Sequence, residues 1–165
     1  MSNSLDVTLR PFIPDDKAFL VGIYGSTREQ ELAMVPWTPE QREAFIRFQF
    51  DAQLNHYQTE YPKAEHSIIL VNDEPVGRLY IDRRETQIRI LDITLLTSHR
   101  GNGIGTVIIR RVMHEAAASA KTVGINLDLF SVSQRLFERL GFKPTEKTDF
   151  HTLYLWQPES IPVNG

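Results

Sequence analysis

The hydrophobic positions of the chain change their period several times, and each change marks an element. From Asp6 to Phe12, Val7 and Leu9 alternate with Thr8 and Arg10, the period of a strand, and Pro11 and Pro14 stop it. Pro14-Asp15-Asp16 reads as the acidic first turn of a helix running to about Tyr24, and a second short helix is placed around Glu29 to Met34. Thr38-Pro39-Glu40-Gln41 is a clearer start signal. Thr38 caps, Pro39 suits the first helical position, and Gln41 reaches back to close a capping box. Beyond it Ile46, Phe50, Leu54, Tyr57 and Tyr61 recur at spacings of three and four, which predicts a long amphipathic helix ended by Pro62.

The period then shortens again. His66 to Val71, Pro75 to Asp82 and Gln87 to about Leu96 read as three strands of an antiparallel meander, with Asn72-Asp73-Glu74 in the first turn. A glycine-rich turn, Gly101 to Gly105, leads into a helix to about Ala120 whose buried stripe is Ile104, Ile108, Val112 and Ala116. A strand follows from Val123 to Phe130, then a short helix from Ser133 to Leu140 closed by Gly141. Strands near Phe142 and from Phe150 to Trp156 complete the order. No internal repeat interrupts it. Hairpins between some strands and helices between others predict an α+β fold, a mixed sheet with helices on both faces.

Composition narrows the class. The 165 residues and 19.0 kDa suit a single domain, with a core from about residue 5 to 156 and a loose tail over 157–165. Eighteen Lys and Arg against 21 Asp and Glu leave a net charge of −3, which argues against a nucleic-acid partner. The absence of cysteine removes disulfides, zinc–thiolate sites and cysteine-linked intermediates. The five histidines show no metal-ligand spacing, so no metal is expected. The N-terminal residues lack the basic and apolar regions of a signal peptide, and no apolar run approaches the ~18 residues of a membrane span. A cytoplasmic protein acting on dissolved ligands, with no membrane partner, is the expectation.

The chemistry concentrates in Leu91 to Arg111, LDITLLTSHRGNGIGTVIIRR. A strand runs into Arg100-Gly101-Asn102-Gly103-Ile104-Gly105-Thr106, where a helix begins. The first turn of a helix has unpaired N–H groups and a dipole that favours negative charge, and glycines admit phosphate oxygens close to the backbone. Arg100 adds a charged donor. The segment has no lysine for a P-loop, and its GxGxG spacing within a meander does not fit the dinucleotide fingerprint.

The pattern Arg-x-x-Gly-x-Gly, met as Arg100, Gly103 and Gly105, resembles the pyrophosphate loop of the GNAT superfamily of acyl-CoA-dependent N-acetyltransferases. Phe137-Glu138-Arg139-Leu140-Gly141-Phe142 is similar to that family's LYEKLGF segment, and the element order agrees from about Val7 to Trp156. The resemblance implies a mostly antiparallel central sheet with a splayed parallel strand pair, here Leu91–Leu96 and Val123–Phe130. It implies acetyl-CoA as acetyl donor, its pantetheine arm held by main-chain groups near Ile93 to Leu95. Its pyrophosphate would be held by Arg100 and the amides of Gly101, Asn102, Gly103, Ile104, Gly105 and Thr106, with Phe137 beside it. The acceptor would be a primary amine, small-molecule or peptide, and a homodimer is compatible with the family.

Transfer to an amine needs a base, because an alkylammonium has a pKa near ~10.4. Asp92 is the candidate base, with Glu31 a weaker one. Asp92 has a plain alternative as a hydrogen-bonded structural carboxylate. Many family members place a tyrosine acid where this chain has Phe137, which cannot donate a proton. Ser133, one turn earlier, is the candidate in its place, unless the thiolate leaves into water at its own pKa of ~8.5. Glu31, Trp37 and Tyr80 are candidate acceptor-binding residues, and each tyrosine has a core-packing alternative. The departure at Phe137 also raises a second reading, a non-catalytic acyl-CoA-binding sensor.

Overall fold

The computed structural model describes residues 6–129 and 131–158. Expectations placed on Leu5, Phe130 and residues 159–165 of the tail lie outside it. The elements run β1 (Val7–Pro11), α1 (Lys17–Thr27), α2 (Glu29–Ala33), α3 (Pro39–Glu60), β2 (Glu65–Val71), β3 (Glu74–Arg83) and β4 (Gln87–Leu95). They continue α4 (Ile104–Ala118), β5 (Thr122–Asp128), α5 (Gln134–Arg139), β6 (Lys143–Lys147) and β7 (His151–Trp156). The fold is α+β. Its seven strands lie in the order β1-β2-β3-β4-β5-β7-β6, and every neighbouring pair is antiparallel except β4 and β5.

Local signals explain most boundaries. Thr38 accepts from the Gln41 amide at 3.1 Å while the Gln41 side chain accepts from the Thr38 amide at 2.9 Å, which starts α3 at Pro39. The first helical turn after β1 is a separate 3-10 turn, Pro14–Asp16. Its Asp16 does more than decorate a helix start. The carboxylate is held by both Arg10 nitrogens at 2.8 Å and by the Ile13 amide at 2.9 Å, and these bonds offset its burial. The strand expected near Phe142 begins one residue later. Phe142 is 2% exposed and packs edge-on against Phe137 at 5.0 Å, so it belongs to the core that precedes β6.

Two cores lie on opposite faces of the sheet. One joins Leu79, Ile81, Ile88, Ile90, Val123 and Ile125 of the strands to α4, whose Ile104, Ile108, Val112 and Ala116 are 5% exposed or less. The other, smaller core joins Ile68 to Leu20 and Ile23 of α1 and Phe50 of α3. Helices therefore cover both faces, and the site sits where the sheet between them comes apart.

Candidate functional site

β4 and β5 pair in parallel only from Gln87↔Thr122 to Ile90↔Ile125. Both strands continue, β4 to Leu95 and β5 to Asp128, without pairing further to each other. On its other side β4 stays bonded to β3, but the register jumps: Ile81 faces Ile90 and Tyr80 faces Asp92. Leu91 is the extra residue of a β-bulge, a device that bends a strand away from its neighbour. Its carbonyl accepts from the Tyr57 hydroxyl of α3 at 3.1 Å. The splay thus begins at a bulge that α3 holds.

The far end of β4 leads to the cradle. After a 3-10 turn, Thr97–His99, the chain passes Gly101 at φ 79° and Gly103 at φ 83°, and α4 begins at Ile104. Those positive φ values explain both glycines, since an L side chain there costs ~1–2 kcal/mol. Gly105 has no such angle, and a Cβ on it would meet only Leu136 and Leu95 at 3.8 and 3.9 Å. The first α-helical bond is Val107 N–H to the Gly103 carbonyl, 3.0 Å. Among the described residues, none of the amides of 101–106 donates to a protein acceptor. Arg100 stands exposed beside them, its Nε donating to the Leu95 carbonyl at 3.3 Å. Six consecutive free donors and a guanidinium at the start of a 15-residue helix fit a diphosphate.

On the α3 side of the splay the sheet carries a buried polar cluster. Arg78 of β3 donates from Nε to Asp92 Oδ2 at 2.6 Å and from Nη2 to Gln53 of α3. The Thr94 hydroxyl also donates to Asp92, at 3.0 and 3.1 Å to the two oxygens. The guanidinium lies 5.3 Å from the Phe50 ring, and its Nη1 is buried with no partner among the described residues. Next to this pair, His66 is stacked between Phe12 at 4.4 Å and Tyr80 at 4.3 Å. Burial, reinforced by Arg78, pushes the His66 imidazole down to about 3, so it is neutral at physiological pH. Burial, reinforced by the charge of Asp92, holds the Tyr57 phenol protonated well above its usual range, and burial also raises Tyr80.

The residues picked from the sequence are only partly brought together. Ile93 and Leu95 lie on the part of β4 that has left β5 and stays paired to β3, and Arg100 to Thr106 form the turn that follows it. Asp92 lies at the splay on the α3 face, its side chain 23% exposed, already bonded to Arg78 and Thr94. Ser133 is half-buried just before α5, and its amide donates to the Ser131 hydroxyl. Phe137 is 1% exposed, its ring packed edge-on against Phe142 in the core.

The acceptor-binding set does not assemble. Tyr80 is 3% exposed and closed in by His66 and Tyr57. Trp37 precedes α3 and packs on Phe45 at 5.0 Å, whereas Tyr80 meets Tyr57 near the other end of that helix. Their contact points on α3, Phe45 and Tyr57, are twelve residues apart, roughly 18 Å along its axis. Glu31 is 70% exposed and pairs with Arg28 at 3.2 Å. Arg78, Gln53 and His66 are missing from the sequence-based set. The signal for Arg78 was present: a charged residue in the middle of the otherwise apolar run Val76 to Ile81 needs a partner on the same face.

A cavity of about 890 Å³ opens between α1, α2 and α3 around Gly22, Gly25, Arg42 and Ile46. No residue of β4 or β5 lines it, so it lies apart from the splay. Among the described residues no group of three His, Cys, Asp or Glu side chains is placed to hold a metal, and no helix is long and apolar enough to cross a membrane.

A cradle of amides at a helix start, beside a parallel pair that parts halfway, is the arrangement that the resemblance to acyl-CoA-dependent acetyltransferases implies. The chain matches the family model of the acetyltransferase (GNAT) family over residues 27–142, and it belongs to that family. Solved structures repeat the fold over nearly its whole length. PaiA N-acetyltransferase from Thermoplasma acidophilum, in complex with coenzyme A, is 12% identical with a TM-score of 0.69, covering 92% of this chain and 99% of that one. An acetyltransferase from Thermus thermophilus is 17% identical with a TM-score of 0.66, covering 92% and 96%. A GNAT acetyltransferase from Elizabethkingia anophelis, with acetyl-CoA bound, is 16% identical with a TM-score of 0.60, covering 92% and 98%.

Proposed function

We propose that this protein transfers an acetyl group from acetyl-CoA to a primary amine. The observation that carries the reading is the set of six unclaimed amides, 101–106, next to an opened strand pair. Two of the similar structures are described with coenzyme A or acetyl-CoA bound, which supports the choice of donor. Arg100 and the cradle amides bind the diphosphate. The unpaired edge of β4 from Asp92 to Leu95 takes the pantetheine arm as a further strand. Acetyl-CoA supplies an activated thioester.

The acceptor nitrogen must lose a proton to attack. Asp92 is a carboxylate on the splayed part of β4, on the α3 face. Its Oδ1 accepts only from Thr94 and keeps a lone pair for the ammonium or a water that relays the proton. Arg78 fixes the other oxygen. The C–S bond breaks as the C–N bond forms, and the thiolate leaves without a tyrosine at Phe137. Ser133, just before α5, is the candidate hydroxyl to return a proton.

Release of free CoA thiol, followed against a broad panel of primary amines, tests the reading. The expected result is amine-dependent release that Asp92→Asn reduces by about 10²-fold or more. Thermal stabilisation by acetyl-CoA without release for any amine would overturn it in favour of a binding module.

A further inference from the structure

The cleft between α1, α2 and α3 takes no part in the acetyl-transfer site, and the helices that border it leave it unfilled. Two helical stripes face each other across it, with Ala18, Gly22 and Ser26 on α1 and Arg42 and Ile46 on α3. The α1 stripe is made of small side chains, so it stops short of α3 over roughly 12 Å of helix. Gly25 has a packing reason to be there, because a Cβ on it would stand 3.2 Å from Ile46. Gly22 has none. It is not among the residues at positive φ, and a Cβ on it would meet nothing within 4 Å. Glycine is also the poorest helix former after proline. What its missing side chain provides is the open space of the cleft.

The lining says what that space suits. Its apolar part is aliphatic, Val21, Leu32 and Ile46, and among the described residues no aromatic ring lines it to stack a flat ligand. A volume of about 890 Å³ is that of a small-molecule site. Most of its charges are already matched: Lys17 pairs with Asp51 at 2.6 Å and Arg47 with Glu43 at 3.1 Å. Glu29 is exposed to water. Arg42 differs from all of these. It is half-buried, and among the described residues its side chain has no ion pair or hydrogen bond, with Nε buried and unpartnered. A covered guanidinium donor is costly until an acceptor meets it, and a carboxylate is the acceptor it matches best. None of the lining residues is on a strand, and Leu20, Ile23 and Phe50, which pack toward the sheet, are not among them. The cleft therefore opens on the side of the helices away from the sheet.

We propose that the cleft between α1, α2 and α3 binds a small aliphatic monocarboxylate, its chain laid between the helices and its carboxylate on Arg42. A neutral molecule of the same length leaves the guanidinium half-matched, and an amine sets a second cation beside it. The site is separate from the donor site and stands or falls without the acetyl-transfer reading.

Calorimetry on the full chain with butanoate, hexanoate and octanoate, and with octanamide and octylamine beside them, tests the site. Octanoate is expected to bind at least about tenfold more tightly than octanamide. Affinity should also rise at least about tenfold from butanoate to octanoate, as further methylenes leave water. Arg42→Gln should bring octanoate down to the level of octanamide. Gly22→Leu sends a side chain into the open space. It should melt no lower than the parent, since it replaces a helical glycine with a strong helix former, and it should abolish octanoate binding. Ala18→Leu narrows the other end of the cleft and should weaken octanoate as well, which keeps the test intact if one filling variant folds poorly. Melting curves of all three variants check the fold. No binding of octanoate, equal binding of octanoate and octanamide, a preference for octylamine, or octanoate binding undiminished in both filling variants overturns the site.

Discussion

Arg78 and Asp92 meet at 2.6 Å with side chains 4% and 23% exposed. A guanidinium so enclosed is stable because Asp92, Gln53 and the Phe50 ring surround it, and removing it strands a partly buried carboxylate. Arg78→Met is therefore expected to cost about 2–4 kcal/mol in urea unfolding, and Arg78→Met with Asp92→Leu should recover part of that loss. A full, unrecovered loss in the double variant would show that the pair is not what stabilises this region. The same pair marks the limit of sequence reading at this scale. Asp92 could be picked out because it precedes a recognisable loop. Arg78, fourteen residues earlier, becomes its partner only through the β3–β4 register.

Elements show a similar division between local and distant causes. The capping box at Thr38, the glycines of the cradle and the stripe of α4 are set by residues within a few positions, and they stood out from the sequence. The bulge at Leu91 did not. It exists because β3 keeps pairing with β4 while β5 stops, and no pattern along one strand encodes that. Likewise the acceptor set of Glu31, Trp37 and Tyr80 joined residues whose separation is fixed by the length of α3. The bulge carbonyl is held by the Tyr57 hydroxyl. Tyr57→Phe removes that bond and keeps the ring against Tyr80. It should cost about 1 kcal/mol of stability and raise KM for acetyl-CoA severalfold, since the splayed strand loses its tie to α3. Initial-rate kinetics with acetyl-CoA varied would show it, and an unchanged KM would mean that the bulge holds its shape unaided.

At the scale of the whole molecule, acid should weaken the fold in a definite order. The folded His66 titrates at about 3 against an ordinary 6.5, so the unfolded chain binds its proton first. Stability is complete above 6.5 and falls as pH drops from there toward about 3. Asp16 works in the same direction lower down: its bonds to Arg10 hold it below the usual 3.8, and that contribution is lost as pH falls through its folded value. Urea midpoints across this range should decline on acidification. His66→Phe, which keeps the stack with Phe12 and Tyr80, should flatten the upper part of the slope. A midpoint equally pH-sensitive in that variant would assign the effect to other groups.

The parallel ladder between β4 and β5 is four residue pairs long. It is also the one parallel seam in the seven-stranded order, with α4 in the connection across it. The sheet is in consequence two plates, β1 to β4 and β5 to β6, hinged at one end and free at the other. On the acetyl-transfer reading, a donor seated in the open end bridges both plates, so its binding is expected to stabilise the two halves of the sheet together.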